Sequence, residues 1–269
     1  MQQQKQPSYD FIGSIALLEM PKGYRGEKKF AKQILNSRPN IKTVAKKAGA
    51  TGGKYRIRKI KYILGEKTSK TICRESGCNF VIDLNKAYYT PRFGSERLRI
   101  SGQIKEGENI LALFAGIGPY PIVIEKHCKN AGQIVSIELN PDAFEFMKQN
   151  ILLNKCVKII PLLGDVKYIL GKRGDLKNWA DRIIMPHPTE ALKFLPSAIR
   201  CAKNGGIIHL YSFGKTKNSK DEIFEKAKKI AKKQKAKIRL LGWRVARPYS
   251  KDVEQAVLDL KVIKALQKT

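Results

Sequence analysis

The stretch 110-ILALFAGIGPY-120 decides the fold. Its opening residues are a continuous apolar run, the texture of a strand covered on both faces of a parallel sheet. Gly116 and Gly118 follow where such a strand gives way to a helix. Glycine there permits unusual backbone angles and lets a ligand approach the main chain closely. A glycine turn also serves as a mere connection, so the residues downstream matter. Glu138 lies about twenty residues on, at the end of the next apolar run, where a carboxylate can accept both hydroxyls of a ribose. Asp165 ends the run after that and suits an adenine amino group, or equally the cap of a short helix. A glycine turn, an acid and an acid at three successive strand ends describe an adenosine site.

The runs 109-NILALFA-115, 133-QIVSIEL-139, 157-VKIIPLLG-164, 181-DRIIMP-186 and 205-GGIIHLYSF-213 alternate with helical segments. The segment 141-PDAFEFMKQNILLN-154 puts Phe144, Met147 and Ile151 on one stripe, and 189-TEALKFLPSAIRCAKNGG-206 ends at a glycine pair. This is an α/β chain with a doubly wound, mostly parallel sheet. The alternation breaks at the end: 237-KIRLLGWRVARPY-249 and 254-EQAVLDLKVI-263 have no helix between them and form a terminal antiparallel hairpin. That ending suits a Rossmann-like methyltransferase better than a dehydrogenase. The third glycine of the dinucleotide fingerprint is also missing from 116-GIGPYPI-122.

Upstream the texture differs. Short strand-like runs, 11-FIGSIALLEM-20, 54-KYRIRKIKYILG-65, 69-SKTICRESG-77 and 78-CNFVIDLNKAYY-89, accompany one helix, 26-GEKKFAKQILNS-37, with Phe30, Ile34 and Leu35 on one face. The glycines of 48-AGATGGKY-55 signal a loop. Two domains are expected: a small basic α+β module over 1–86 and the nucleotide-binding domain over 87–269.

With 42% hydrophobic residues the chain can build a real core, and its 53 Lys and Arg against 23 Asp and Glu give a net charge of +30. Such an excess points to a polyanionic partner, because cationic side chains release condensed counterions from phosphates. The lysines of 226-KAKKIAKKQKAKIR-239 are read mostly as the solvated face of a helix that buries Phe224, Ala227, Ile230 and Ala231. No cysteine spacing signals a zinc ribbon or a redox pair, and no metal is expected. The polar start 1-MQQQKQPSYD-10 lacks an apolar leader, and no run approaches a membrane span. A cytoplasmic monomer without membrane contact is expected.

The segments 11-FIGSIALLEMP-21, 40-NIKTVAKKAG-49, 55-YRIRKIKYILGE-66, 88-YYTPRFGSER-97, 114-FAGIGP-119, 137-IELNP-141, 181-DRIIMPHP-188 and 205-GGIIHLYSF-213 occur in that order. With them the chain resembles the archaeal and eukaryotic tRNA (guanine-37, N1)-methyltransferases and their wyosine-pathway relatives, over about residues 9–263. The resemblance implies a class I methyltransferase domain, S-adenosylmethionine as cofactor and a tRNA anticodon loop as partner. It makes Glu96 the general base for the guanine N1 proton and sets Arg56 beside O6. Tyr88, Arg97, Phe114, Glu138 and Asp165 become cofactor contacts with the glycine turn, and Arg92 and Pro188 belong to the substrate pocket.

A proton leaves N1 as the methyl group arrives, so a carboxylate that accepts it and a guanidinium beside O6 form a sensible pair. Read without the resemblance, Glu96 is a surface salt-bridge partner of Arg92 or Arg99. The chain departs from the family pattern at Ala112, where an acid is usual, and at Pro186-His187-Pro188 in place of Asn-Leu-Pro. His187 stands at the leucine position and is read as packing or as a compensating hydrogen bond. A short form without the extra N-terminal domain of longer members is expected. Three further readings compete with guanosine methylation: aminocarboxypropyl transfer at the same position, methylation of a wyosine intermediate, and an inactive tRNA-binding relative. The intact Arg92 and Glu96 favour methyl transfer.

Overall fold

The computed structural model describes residues 6–49, 53, 55, 57 and 59–264. The run 11–20, expected as one strand, is two: β1 (Ser8–Ile12) and β2 (Ile15–Glu19) form an antiparallel pair. Gly13 turns the chain between them at φ 54°. A Cβ on Gly13 would lie 2.2 Å from Thr71 Oγ1 and 2.3 Å from the Ile72 carbonyl oxygen, so only glycine fits. Helix α1 (Glu27–Ser37) crosses to β3 (Thr43–Lys47), parallel to β2, and β4 (Ile60–Gly65) adds antiparallel to β3. Ala31 and Ile34 of α1 bury against Leu18, Ile41 and Val44, with Phe30 and Leu35 packed at the margin. The glycine loop expected at 48–55 lies largely outside the described residues, and so does Arg56.

A separate hairpin follows, β5 (Lys70–Glu75) and β6 (Cys78–Asp83). After a 3-10 turn (Pro91–Phe93) and helix α2 (Gly94–Ser101), the chain enters the large sheet at β7 (Ile110–Leu113). Helix α3 (Pro119–His127), β8 (Ile134–Glu138), α4 (Pro141–Leu153), β9 (Ile159–Leu163) and α5 (Val166–Lys172) complete its first half. The second half runs through β10 (Ala180–Met185), α6 (Ala191–Cys201), β11 (Ala202–Lys215), α7 (Ser219–Lys233), β12 (Ala236–Pro248) and β13 (Val253–Lys264).

The sheet order is β12-β13-β11-β10-β7-β8-β9, parallel from β9 to β11, with β13 antiparallel to both of its neighbours. The terminal hairpin thus reverses at the sheet: the last strand is inserted and β12 is the edge. Insertion explains the burial. β13 is almost wholly covered, whereas β12 alternates and carries irregularities between Leu240 and Gly242 and between Val245 and Arg247. Bulges on an edge strand bend it and blunt further pairing. Each face of the sheet has its own apolar core.

The β5–β6 hairpin packs against α4. Asn150 and Asn154, one helical turn apart, each bond an exposed rung of β6: Asn150 accepts from the Val81 N–H at 2.7 Å and Asn154 from the Asn79 N–H at 2.8 Å. Their amide N–H groups donate back to the Val81 and Asn79 carbonyls. Two side-chain amides thus complete a strand edge that would otherwise stay unpaired. No described helix is long and apolar enough to cross a membrane.

Candidate active site

At the C-terminal end of β7 the backbone is unusual. Phe114 has φ 56°, which for a bulky side chain costs about 1–3 kcal/mol and persists only where the surroundings impose it. Its ring lies 5.1 Å from those of both His187 and Phe194. Gly116 (φ 59°) donates its N–H to Glu138 Oε2 at 2.6 Å, and the Asn140 N–H reaches Glu138 Oε1 at 2.8 Å. The acid of the second strand is therefore fixed to the glycine turn of the first. Burial pushes the Glu138 carboxyl above its ordinary range, and the N–H bonds oppose that shift.

The two glycines have different reasons. A Cβ on Gly118 would meet Met147 Cγ at 3.0 Å and Ile122 Cδ1 at 3.1 Å, so glycine there lets α3 and α4 close. A Cβ on Gly116 would meet nothing nearer than the Tyr88 carbonyl oxygen at 3.9 Å, which leaves an open flank. The segment from Lys86 to Thr90 lies along this flank, tied by the Asn140 amide to the Lys86 carbonyl at 2.8 Å. Tyr88 itself is exposed. Asp165 caps α5 by accepting from the Lys167 N–H at 2.7 Å, and it is exposed.

Glu96 sits in the first turn of α2 and is 2% exposed, so the salt bridge read from the sequence exists but is buried. Arg99, one turn later, grips it with Nη2 to Oε1 at 2.8 Å and Nε to Oε2 at 3.0 Å. The Tyr211 hydroxyl donates to Oε1 at 2.9 Å, and Arg244 Nε stands 3.3 Å from Oε2. From Arg99 a buried chain runs across the sheet. Arg99 Nη1 meets Asp259 Oδ2 at 2.5 Å, Asp259 Oδ1 meets His209 Nδ1 at 2.6 Å, and His209 Nε2 meets Arg182 Nη1 at 2.9 Å. Arg182 ends on Glu108 at 2.9 Å.

A guanidinium only donates, so His209 Nε2 accepts and Nδ1 carries the proton toward Asp259. Burial holds the His209 pKa below its ordinary value despite Asp259. For Asp259 burial acts upward, but the bonds from His209 and Arg99 outweigh it and hold the carboxyl well below the usual range. Sequence reasoning passed over Arg182, His209 and Asp259. Their signal was a charged or imidazole side chain interrupting the apolar runs of β10, β11 and β13.

Arg97 faces elsewhere. It is 3% exposed, pairs with Glu75 Oε2 at 2.5 Å and with the Thr90 carbonyl at 3.1 Å, and lies over the rings of Tyr89 and Tyr120. Its Nε is buried with no bonding partner among the described residues. Arg92 reaches across to Asp10 of β1 at 2.7 Å and is partly exposed. Pro188 lies half-buried in the loop after β10, beside β7 in the sheet, and His187 of that loop packs on Phe114.

Residues 71–239 match the family model described as the TRM5/TYW2 methyltransferase domain. The chain belongs to the TRM5/TYW2 methyltransferase family. Residues 1–68 match the TYW2 N-terminal domain. Among curated proteins the chain is 36% identical to the tRNA (guanine(37)-N(1))-methyltransferase Trm5b of Pyrococcus abyssi, over 95% of this chain and 74% of that one. It is 32% identical to the tRNA 4-demethylwyosine(37)-methyltransferase Taw21 of Saccharolobus solfataricus, over 80% of each. It is also 32% identical to the tRNA(Phe) (4-demethylwyosine(37)-C(7)) aminocarboxypropyltransferase of Methanocaldococcus jannaschii, over 78% of this chain and 81% of that one.

The crystal structure of Pyrococcus abyssi Trm5b superposes with a TM-score of 0.85, covering 95% of this chain and 75% of that one at 35% identity. A complex of aTrm5 with tRNALeu gives 0.80 at 32% identity, over 94% and 71%. Methanocaldococcus jannaschii TYW2 bound to AdoMet gives 0.74 at 26% identity, over 96% and 100%. As a TRM5/TYW2 member the chain is a transferase that uses S-adenosylmethionine to modify position 37 of tRNA. The site fits that cofactor on its own geometry. It offers an open flank at Gly116 and a fixed acid at Glu138.

Proposed function

We propose that this protein transfers a methyl group to N1 of guanosine 37 in the anticodon loop of tRNA. Glu96 carries the reading: it is a buried carboxylate in the "SER" segment, oriented by a two-pronged bond from Arg99. S-adenosylmethionine supplies an electrophilic methyl group on a sulfonium centre. Glu96 accepts the N1 proton as the base becomes a nucleophile, and Arg56 offsets negative charge on O6. Glu138 receives the ribose hydroxyls, Asp165 turns the oxygen not used in capping toward the adenine amino group, and Phe114 packs on the adenosine. Arg97 offers its unsatisfied N–H to the amino-acid end of the cofactor, and Tyr88 and Pro188 border the base. Arg92, paired to Asp10, holds the small domain against the segment ahead of α2.

A second reading has its own support. The match of residues 1–68 to a TYW2 N-terminal domain favours action on a wyosine intermediate at the same position, by methyl or aminocarboxypropyl transfer. One experiment separates them. Unmodified tRNA transcript and 4-demethylwyosine-bearing tRNA are each incubated with cofactor labelled in the methyl or in the aminocarboxypropyl carbons, then digested to nucleosides. Methyl label in 1-methylguanosine is the expected result. Label reaching only the wyosine-type base overturns the first reading in favour of the second.

A further inference from the structure

Glu96 has three partners among the described residues, and they are unequal. Tyr211 is fully buried, the Arg99 side chain is 22% exposed and that of Arg244 is 43% exposed. The Arg244 contact, at 3.3 Å, is also the longest. Oε1 is occupied by Arg99 and Tyr211, whereas Oε2 is shared between Arg99 and Arg244. A carboxylate that takes a proton needs a lone pair free of donors. A guanidinium cannot relay that proton, since it is protonated throughout the accessible pH range. For Oε2 to reach a base, Arg244 has to leave.

Arg244 is built to move. It lies on the edge strand β12, between the two irregularities that bend that strand. The strand sequence AKIRLLGWRVARP holds four basic residues and no acid. Arg247, next on the same face, rests its guanidinium 5.5 Å from the Phe93 ring just ahead of α2. On a protein of charge +30, an anion arriving at this edge competes directly with Glu96 for Arg244. A phosphate offers the guanidinium a two-pronged bond, and a polynucleotide supplies phosphates in series.

We propose that Arg244 is a substrate-operated latch, closed on Glu96 in the free enzyme and drawn off it by a backbone phosphate of the RNA as the target base enters. This rests on the reading of Glu96 as the base. The latch makes proton acceptance depend on bound RNA and marks β12 as an RNA-contacting edge.

The test uses the full chain with Arg244→Gln, Arg244→Lys and Glu96→Gln, measuring tRNA affinity from roughly 50 to 200 mM salt and single-turnover rates at saturating tRNA. With Arg244→Gln the slope of log affinity against log salt becomes shallower by about one, the signature of one lost phosphate contact. Affinity falls most at the lower salt limit, while the saturating rate falls far less than the ~10²-fold expected of Glu96→Gln. Arg244→Lys keeps the slope. An unchanged slope in Arg244→Gln overturns the latch whatever the rate does. A shallower slope with a rate as low as that of Glu96→Gln also overturns it, because the arginine is then a fixed part of the site. Should Glu96→Gln react at the wild-type rate, the base assignment falls, while the salt slope still reports whether Arg244 meets a phosphate.

Discussion

Glu96 begins one buried chain of charges and His209 lies within it, and each makes a separate demand on the protein. Replacing Glu96 by glutamine keeps its size and most of its bonds but removes its basicity. Cofactor and tRNA affinity are expected to change little while the single-turnover rate drops about 10²-fold. His209 shapes stability instead. It is buried neutral, so its folded pKa is depressed: its contribution is intact above about pH 6.5, where the unfolded imidazole is also neutral, and is lost as pH falls. Below that point the unfolded chain gains a proton that the native one refuses, at about 1.4 kcal/mol per pH unit down to the folded pKa. Asp259, also depressed, adds loss in the same direction at lower pH. Melting curves from pH 7.5 to 5 are expected to fall steeply for the wild type and less steeply for His209→Gln.

At the scale of elements, the glycine turn separates packing from binding. Gly118→Ala forces a Cβ against Met147 and Ile122 at positive φ, and a loss of about 2–3 kcal/mol in stability is expected. Gly116→Ala carries the strain of its φ of 59° but no clash, so calorimetry is expected to show weakened cofactor affinity with a smaller shift in melting temperature. The sequence disclosed this turn, the acid at Glu138 and the apolar strands because each depends on local spacing. It did not disclose α2, whose eight residues GSERLRIS are too polar and short to declare a periodicity. Nor did it split β1 from β2, since the need for glycine at position 13 comes from Thr71 and Ile72 of a distant hairpin. Arg99 and Asp259 stand 160 residues apart. Their pairing follows from the insertion of β13 beside β11, a fact of sheet order that no window of sequence contains.

Across the whole molecule, the β5–β6 hairpin binds the halves together. A boundary after residue 86 puts the hairpin with the small basic domain, yet beside its Thr71–Ser14 bond most of its side-chain ties run to α2, α3 and α4. Asn150 and Asn154 of α4 bond its edge, and Asn150 also holds the Ile117 carbonyl inside the glycine turn at 3.0 Å. Glu75 of the hairpin neutralises the buried Arg97. The hairpin's apolar residues Phe80 and Ile82 share a core with Tyr120, Ile122 and Met147. A fragment beginning near residue 69 keeps all of these contacts, whereas one beginning at residue 87 strands Arg97 as a buried charge. Removing one partner of a buried ion pair costs about 3–5 kcal/mol, and each lost amide bond adds about 1. That total is comparable to the whole stability of a domain. The longer fragment is therefore expected to fold and bind S-adenosylmethionine by calorimetry without RNA, and the shorter one to be unfolded by circular dichroism. Cooperative melting and wild-type cofactor affinity in the fragment that starts at residue 87 would show that the hairpin belongs to the small domain in its energetics as well as in its sequence.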